Sequence, residues 1–475
     1  MASYLAEPTA LLLIVAAVAL PRIAFALLAP SFNGDAQTYA LVAQNILQHG
    51  CVSMSAPATG ACVPHWGGNQ LPGFPAFIAA TWLLTGGWDL APLLAQALVF
   101  AAASAYLVRQ IALGGASARA LLLVVLVLAL SPTLVAWPRL LLTEALAAAA
   151  SVWAMAAIVR SVREHELQVV EIAGALAVAL FLRYSLLVLA IPVVLAAFRL
   201  HPAASALRRV ALIAALVAAP FAAWTVRNVA VGLKPLPPVG LAATGAPAAL
   251  GVLRWMGTWV SSQYDLPNSI WPLLVGNYDA IRPPAAMSPT AVPLLEALVG
   301  AGPPVPAAID NAFARLAAEE REARPLRQWI VLPVTRAANL WLSPFPSMGM
   351  PGEVTAEVRT LFSHHLRAGQ WFDAVRVAAG NAPQVLLKAT VAAWRCLIFA
   401  GVVLVVVRAV RARPVAPLTW MAVTLAAVLT AAIATTPFVE SRYLVPALVW
   451  LEVALAMEFA GRGGARESGT LRNAA

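Results

Sequence analysis

Residues 415–446 read VAPLTWMAVTLAAVLTAAIATTPFVESRYLVP. Positions 415–436 form an apolar run long enough to cross a bilayer as a helix. The chain then turns polar at Glu440-Ser441-Arg442-Tyr443 before a further apolar run begins. Charges at membrane depth are costly, so they survive mainly where they face a cavity or one another. Asp35, Glu144, Arg183 and Arg227 stand in the same way at the ends of other hydrophobic segments. If all of them lie on one side of one membrane, they outline a single active site.

Composition supports the membrane reading. Of 475 residues, 61% are hydrophobic and only 11% charged, and mean hydropathy is +0.81. A soluble protein of this length needs far more polar surface. The formal net charge of +10 would suit a nucleic-acid binder, but no basic patch interleaved with aromatics is present. Membrane proteins carry such an excess as a topology signal instead. Lys234 and Lys388 are the only lysines; the remaining basic residues are arginines.

Apolar runs that span, or nearly span, fall at about 9–29, 90–108, 118–137, 142–160, 169–182, 185–199, 210–229, 387–408, 415–436 and 443–460. The first leads straight into Asn33-Gly34-Asp35 and reads as a retained helix, not a cleaved leader. The pair at 169–199, broken at Arg183-Tyr184, reads as a tight hairpin. Stretches 71–86 and 326–345 read as interfacial or partly inserted, so the expected bundle has ten to thirteen membrane helices. Arg109 and Arg119, then Arg160 and Arg163, Arg199, Arg208 and Arg209, Arg408, Arg411 and Arg413, and the tail from Arg462 all fall on one side if both termini are cytoplasmic.

That register divides the chain into an N-terminal membrane module (1–230), an external cap region (231–386) and a C-terminal membrane module with a cytoplasmic tail (387–475). The first external loop, about 30–89, receives Asp35, His65, Asn69, Gln70 and the cysteines Cys51 and Cys62. In an oxidising compartment those two cysteines are a candidate disulfide. Asp35 is placed either to cap the helix that follows or to face a cavity, with Tyr39 one turn on along the same face. Glu144 has Arg139 as a nearby candidate ion-pair partner. Arg227 and Arg442 offer guanidinium forks that match phosphate oxygens, and snorkelling is the alternative for Arg227. The six histidines are scattered without zinc-site spacing.

In order along the chain, Asp35-x-x-x-Tyr39, Leu71-Pro72-Gly73-Phe74-Pro75, Thr143-Glu144, Leu182-Arg183-Tyr184, Trp224-Thr225-Val226-Arg227-Asn228 and Glu440-Ser441-Arg442-Tyr443-Leu444-Val445-Pro446 resemble the bacterial branch of the GT-C glycosyltransferases. This group includes relatives of the protein O-mannosyltransferases and of the aminoarabinose transferases. The resemblance implies an all-α polytopic bundle with a small periplasmic cap in the bacterial inner membrane. It also implies a sugar donor carried on a polyprenyl phosphate, Asp35 as the catalytic carboxylate and Glu144 as a second acidic position. Tyr39, Arg183, Arg227, Glu440, Arg442 and Tyr443 fall at or beside donor-side positions, and His65, Asn69 and Gln70 are candidates for the acceptor or its loop. Two departures stand out. Ala36 follows Asp35 where some relatives carry a second acid, and Asn69-Gln70 stands where aminoarabinose-type members place a lysine.

The expected chemistry is an inverting transfer with Asp35 as general base. No cofactor is called for, and no divalent metal is needed if arginines carry the phosphate charge. The expected partners are the lipid-linked donor, membrane lipids and an envelope glycan, lipid or protein acceptor. Competing readings are a lipid-linked-sugar flippase, an O-antigen-type polymerase or ligase, and an assembly subunit. Paired repeats and broken mid-membrane helices would favour a transporter, whereas charges gathered at one face favour an enzyme.

Overall fold

A computed structural model describes residues 7–32, 34–54, 63–64, 71–233, 235, 249–284, 289–343, 349–351, 358, 361–362, 364–365 and 368–460. Apart from an isolated bridge between Ser31 and Leu140, the regular structure among these residues is helical. The N-terminal part comprises α1 (Pro8–Leu28), α2 (Asp35–His49), α3 (Gly73–Thr85), α4 (Ala91–Leu113), α5 (Ala118–Leu130), α6 (Glu144–Glu164), α7 (Val169–Leu182), α8 (Ala190–Leu200) and α9 (Ala203–Ala230). Then come α10 (Leu250–Met256), α11 (Ile270–Val275), α12 (Ala291–Ala301), α13 (Ala307–Ala323), α14 (Leu332–Leu342) and α15 (Trp371–Gly380). The chain closes with α16 (Ala382–Val410), α17 (Pro417–Ala434) and α18 (Val445–Ala460), the last entered through a 3-10 turn at Ser441–Leu444.

Seven of these helices are long and apolar enough to cross a membrane: α1, α4, α6, α9, α16, α17 and α18 with its lead-in turn. The chain is therefore a multi-pass helical membrane protein. A helix satisfies its own backbone hydrogen bonds, which lipid cannot do for it. The other three predicted runs are also helical but shorter. The run expected over 118–137 ends at Leu130, because Pro132 has no N–H and forces Ser131 into an extended conformation (φ −52°, ψ 120°). The break after α7 at Arg183 is present, and a 3-10 turn at Tyr184–Leu189 leads from it into α8.

Burial separates the centre of the bundle from its rim. In α6 and α18, 78% and 72% of the spanning window is buried, against 11% in α9 and 28% in α1. The run of small side chains from Ala145 to Ala150 lets neighbouring helices approach α6 closely. Across this centre the Trp450 indole N–H donates to Ser151 Oγ at 2.9 Å, and Ser151 donates to the Pro446 carbonyl at 3.0 Å. Gly73 marks another close approach. A Cβ there would lie 2.6 Å from the Phe181 carbonyl oxygen, so the start of α3 can rest on the end of α7 only with glycine.

A second apolar cluster, separate from the bundle core, joins α10 to α13 through Trp255 and Phe313, whose ring centroids lie 5.0 Å apart. Arg336 of α14 ties this cap to the bundle. It donates to the carbonyls of Gly257 (2.7 Å), Val260 (2.8 Å) and Ala434 (3.3 Å). The tail from Arg462 lies outside the described residues; among those described, the arginines expected on one side gather at one end of the bundle. There Arg163 donates to Gln110 (3.0 Å), Arg160 pairs with Glu171 (3.1 Å), Arg209 with Glu166 and Arg408 with Glu458 (3.7 Å).

Candidate functional site

At the opposite end, where α1 and α7 finish and α6 and α18 begin, five charged side chains from distant parts of the sequence meet. Gly34, at φ 64°, turns the chain out of α1 and occupies the cap position of α2. Asp35 is therefore the first helical residue and not the N-cap. Its Oδ2 lies 3.3 Å from Arg442 Nη1, and 53% of the side chain is exposed. Tyr39, one turn on, is buried edge-on against Phe74 with centroids 5.0 Å apart. Burial pushes its phenol above the usual range, so it stays protonated.

Glu144 opens α6 and is 2% exposed. Its expected partner, Arg139, is turned elsewhere and donates to the carbonyls of Gly349 (2.6 Å), Ala29 (2.7 Å) and Met350 (3.3 Å). The ion pair forms instead with Arg183, Nη1 to Oε1 at 2.6 Å. The extended backbone after α7 (φ −157°, ψ 131°) carries the guanidinium of Arg183 across to α6. Arg183 also lies over the Tyr443 ring at 4.8 Å and 3.3 Å from Thr143 Oγ1. Glu144 Oε2 is buried and has no partner.

Arg442, in the turn before α18, closes the cluster. It pairs with Glu440, lies 3.3 Å from Asp35 and 3.7 Å from Glu144, and packs over Tyr443 at 5.6 Å. Three carboxylates thus share two guanidiniums, and each guanidinium is already turned onto a carboxylate. Ser441 extends the site toward the cap by donating to Gln263 Oε1 at 2.9 Å. Such a group can hold one exposed carboxylate in a fixed position beside a second carboxylate oxygen that still lacks a donor. This suits the capture of a hydroxyl proton.

Among the described contacts, Arg227 takes no part in this cluster. It donates to Asn228 Oδ1 at 3.1 Å and lies over Trp224 at 4.7 Å. His65, Asn69, Gln70 and Cys62 lie outside the described residues. Cys51 is disulfide-bonded, and Cys396 is free. Among the described residues, no group of three or more His, Cys, Asp or Glu side chains is placed to hold a metal ion. A cleft of about 750 Å³ lined by Trp153, Arg160, Glu171 and Arg209 belongs to the arginine-rich end, and its charged groups pair with one another.

Sequence reasoning missed several buried polar residues inside its own apolar runs. Arg22 of α1 and Arg395 of α16 are fully buried, and Glu452 of α18 is 3% exposed. Glu452 Oε1 accepts from Thr133 (2.5 Å), Ser131 (2.9 Å) and the Trp394 indole (3.0 Å). The available signal was a single charge within each hydrophobic run. Gln263 carried no signal of any kind. Compared with known proteins, the chain matches no family model, no curated protein and no solved structure.

Proposed function

We propose that this chain is an inverting glycosyltransferase of the bacterial inner membrane. In this reading it moves a sugar from a polyprenyl-phosphate donor to an acceptor hydroxyl at the periplasmic face. The observation that carries the proposal is the convergence of Asp35, Glu144, Arg183, Glu440 and Arg442 at the end of the bundle away from the loop arginines. Excess arginine marks the cytoplasmic side, which assigns the cluster to the other face. Soluble nucleotide sugars are made on the cytoplasmic side, so a transferase working outside draws on a lipid-linked donor.

The acceptor oxygen attacks the anomeric carbon while Asp35 takes its proton. The bond from that carbon to the phosphate oxygen breaks, and the polyprenyl phosphate leaves with the electron pair. One displacement inverts the anomeric configuration. Arg442 orients Asp35 for the proton transfer. The unpartnered Oε2 of Glu144 is available to a second hydroxyl of the acceptor or the sugar. Arg183 fixes Glu144 in place.

The flippase reading draws on a different feature, the charges Arg22 and Glu452 within α1 and α18. A transport path would need these residues to line an opening, yet both are sealed from solvent and held in hydrogen bonds. The transferase reading accounts for more of the charged residues. Purified protein incubated with a panel of polyprenyl-phospho-sugars and membrane acceptors tests it. Release of polyprenyl phosphate matched by glycosylated acceptor supports the proposal. Movement of intact donor between leaflets without bond cleavage contradicts it.

A further inference from the structure

Among the described residues, three arginines are buried within or against the membrane helices, and they differ in how they are satisfied. Arg336 donates to three backbone carbonyls. Arg22 donates through Nη1 alone to the carbonyls of Val18 (2.8 Å) and Ala129 (3.2 Å) and packs over Phe100 at 4.1 Å, while its Nε and Nη2 lack a partner. Arg395 differs from both. It is fully buried near the middle of α16, and Nε, Nη1 and Nη2 all lack a hydrogen-bond partner. Glu452, bonded to the neighbouring Trp394, accepts three hydrogen bonds on Oε1, its Oε2 has no partner, and no bond joins it to Arg395. A dry guanidinium with five unused donors is among the costliest groups a membrane protein can keep, unless an anion completes it.

The surroundings of Arg395 indicate which anion. Phe399, one turn on, lies 6.4 Å from Trp341 of α14, so Arg395 sits toward the seam between α14 and α16. Beside this seam Leu342 and Phe399 are exposed. Tyr264 interacts electrostatically with Arg395, and its hydroxyl lies 2.8 Å from Oγ of Ser343, the residue that follows α14. The preceding residue, Gln263, accepts from Ser441, which stands between Glu440 and Arg442. The short segment Gln263-Tyr264 therefore bridges the end of α14, beside which Arg395 sits, and the carboxylate cluster. The guanidiniums of that cluster are turned onto carboxylates and Arg22 is bonded through Nη1, which leaves Arg395 as the buried guanidinium with all three nitrogens unbonded.

We infer that Arg395 is a phosphate-binding residue that receives the phosphate of a prenyl-phosphate lipid, with the chain along the α14–α16 seam and the headgroup toward Asp35. The assignment of the lipid rests on the transferase reading; the oxyanion site itself does not. A phosphate matches the guanidinium fork with two parallel hydrogen bonds.

The test is equilibrium binding to the full-length protein in nanodiscs, using geranylgeranyl phosphate, geranylgeraniol and inorganic phosphate. Wild type should bind the prenyl phosphate at least tenfold tighter than the alcohol. Arg395→Gln should lose that preference, Arg395→Lys should keep part of it, and Asp35→Asn should bind at least as tightly as wild type. In the absence of ligand, Arg395→Gln and Arg395→Met should melt no lower than wild type, because they break no internal bond. Misfolding of both variants, or wild-type prenyl-phosphate binding by Arg395→Gln, overturns the inference. Arg395-dependent binding of inorganic phosphate with no gain from the chain supports the site and assigns it to free phosphate. If wild type transfers sugar from no polyprenyl-phospho-sugar while Arg395-dependent binding stands, the transferase reading fails and the anion site remains. If transfer needs Asp35 while Arg395→Gln binds normally, only the present inference fails.

Discussion

Arg183 Nη1 lies 2.6 Å from Glu144 Oε1, joining the break after α7 to the first turn of α6. Side-chain exposures of 12% and 2% make this a desolvated pair. Removing one partner strands the other, at a cost of about 3–5 kcal/mol, whereas replacing both with apolar side chains costs far less. Arg183→Met alone should therefore unfold markedly earlier than the Arg183→Met/Glu144→Leu double variant. A denaturant series in detergent measures this, and additive losses in the double variant would mean the pair is not coupled.

Gly73 is the second support of the same corner. Even a methyl group at this position would press on the Phe181 backbone, two residues before Arg183. Gly73→Ala should cost about 1–3 kcal/mol, the usual range for overpacking. It should also lower transfer more than stability alone explains, because the strain falls on the segment that aims Arg183. Wild-type melting by Gly73→Ala would show that α3 and α7 are farther apart than described.

Much of the membrane architecture was legible because hydropathy reports each helix separately, and all ten apolar runs are helices. The run over 118–137 was misread at its end because averaging over the window hid the break at Ser131-Pro132. Averaging likewise absorbed Arg22, Arg395 and Glu452, each a single charge within a long apolar window. Asp35, Glu440 and Arg442 were visible because they sit beside apolar runs, where charge stands out. The choice of partner was not legible. Arg139 is close to Glu144 in sequence, but helix rotation turns it toward Gly349, and the partner comes from Arg183 instead. Side-chain direction depends on packing between helices, which no local pattern records.

Sidedness can be checked without activity. Asp89 precedes α4 at the end of the bundle that holds the cluster, and Ala118 begins α5 at the arginine-rich end; both are exposed. In a Cys396→Ser background, Asp89→Cys should react with a membrane-impermeant thiol reagent added to intact spheroplasts. Ala118→Cys should react only after the membrane is opened. The reverse pattern would place the cluster in the cytoplasm and remove the reason for a lipid-linked donor.

The central claim is that the Asp35 carboxylate takes the acceptor proton. Its half-exposed pair with Arg442 contributes little to folding, so Asp35→Asn should melt within about 1 kcal/mol of wild type. Single-turnover transfer from a polyprenyl-phospho-sugar in proteoliposomes is the direct measurement. The account predicts that Asp35→Asn binds donor normally and transfers at least about a hundredfold more slowly, with inverted product from the wild type. Transfer by Asp35→Asn at the wild-type rate would contradict it.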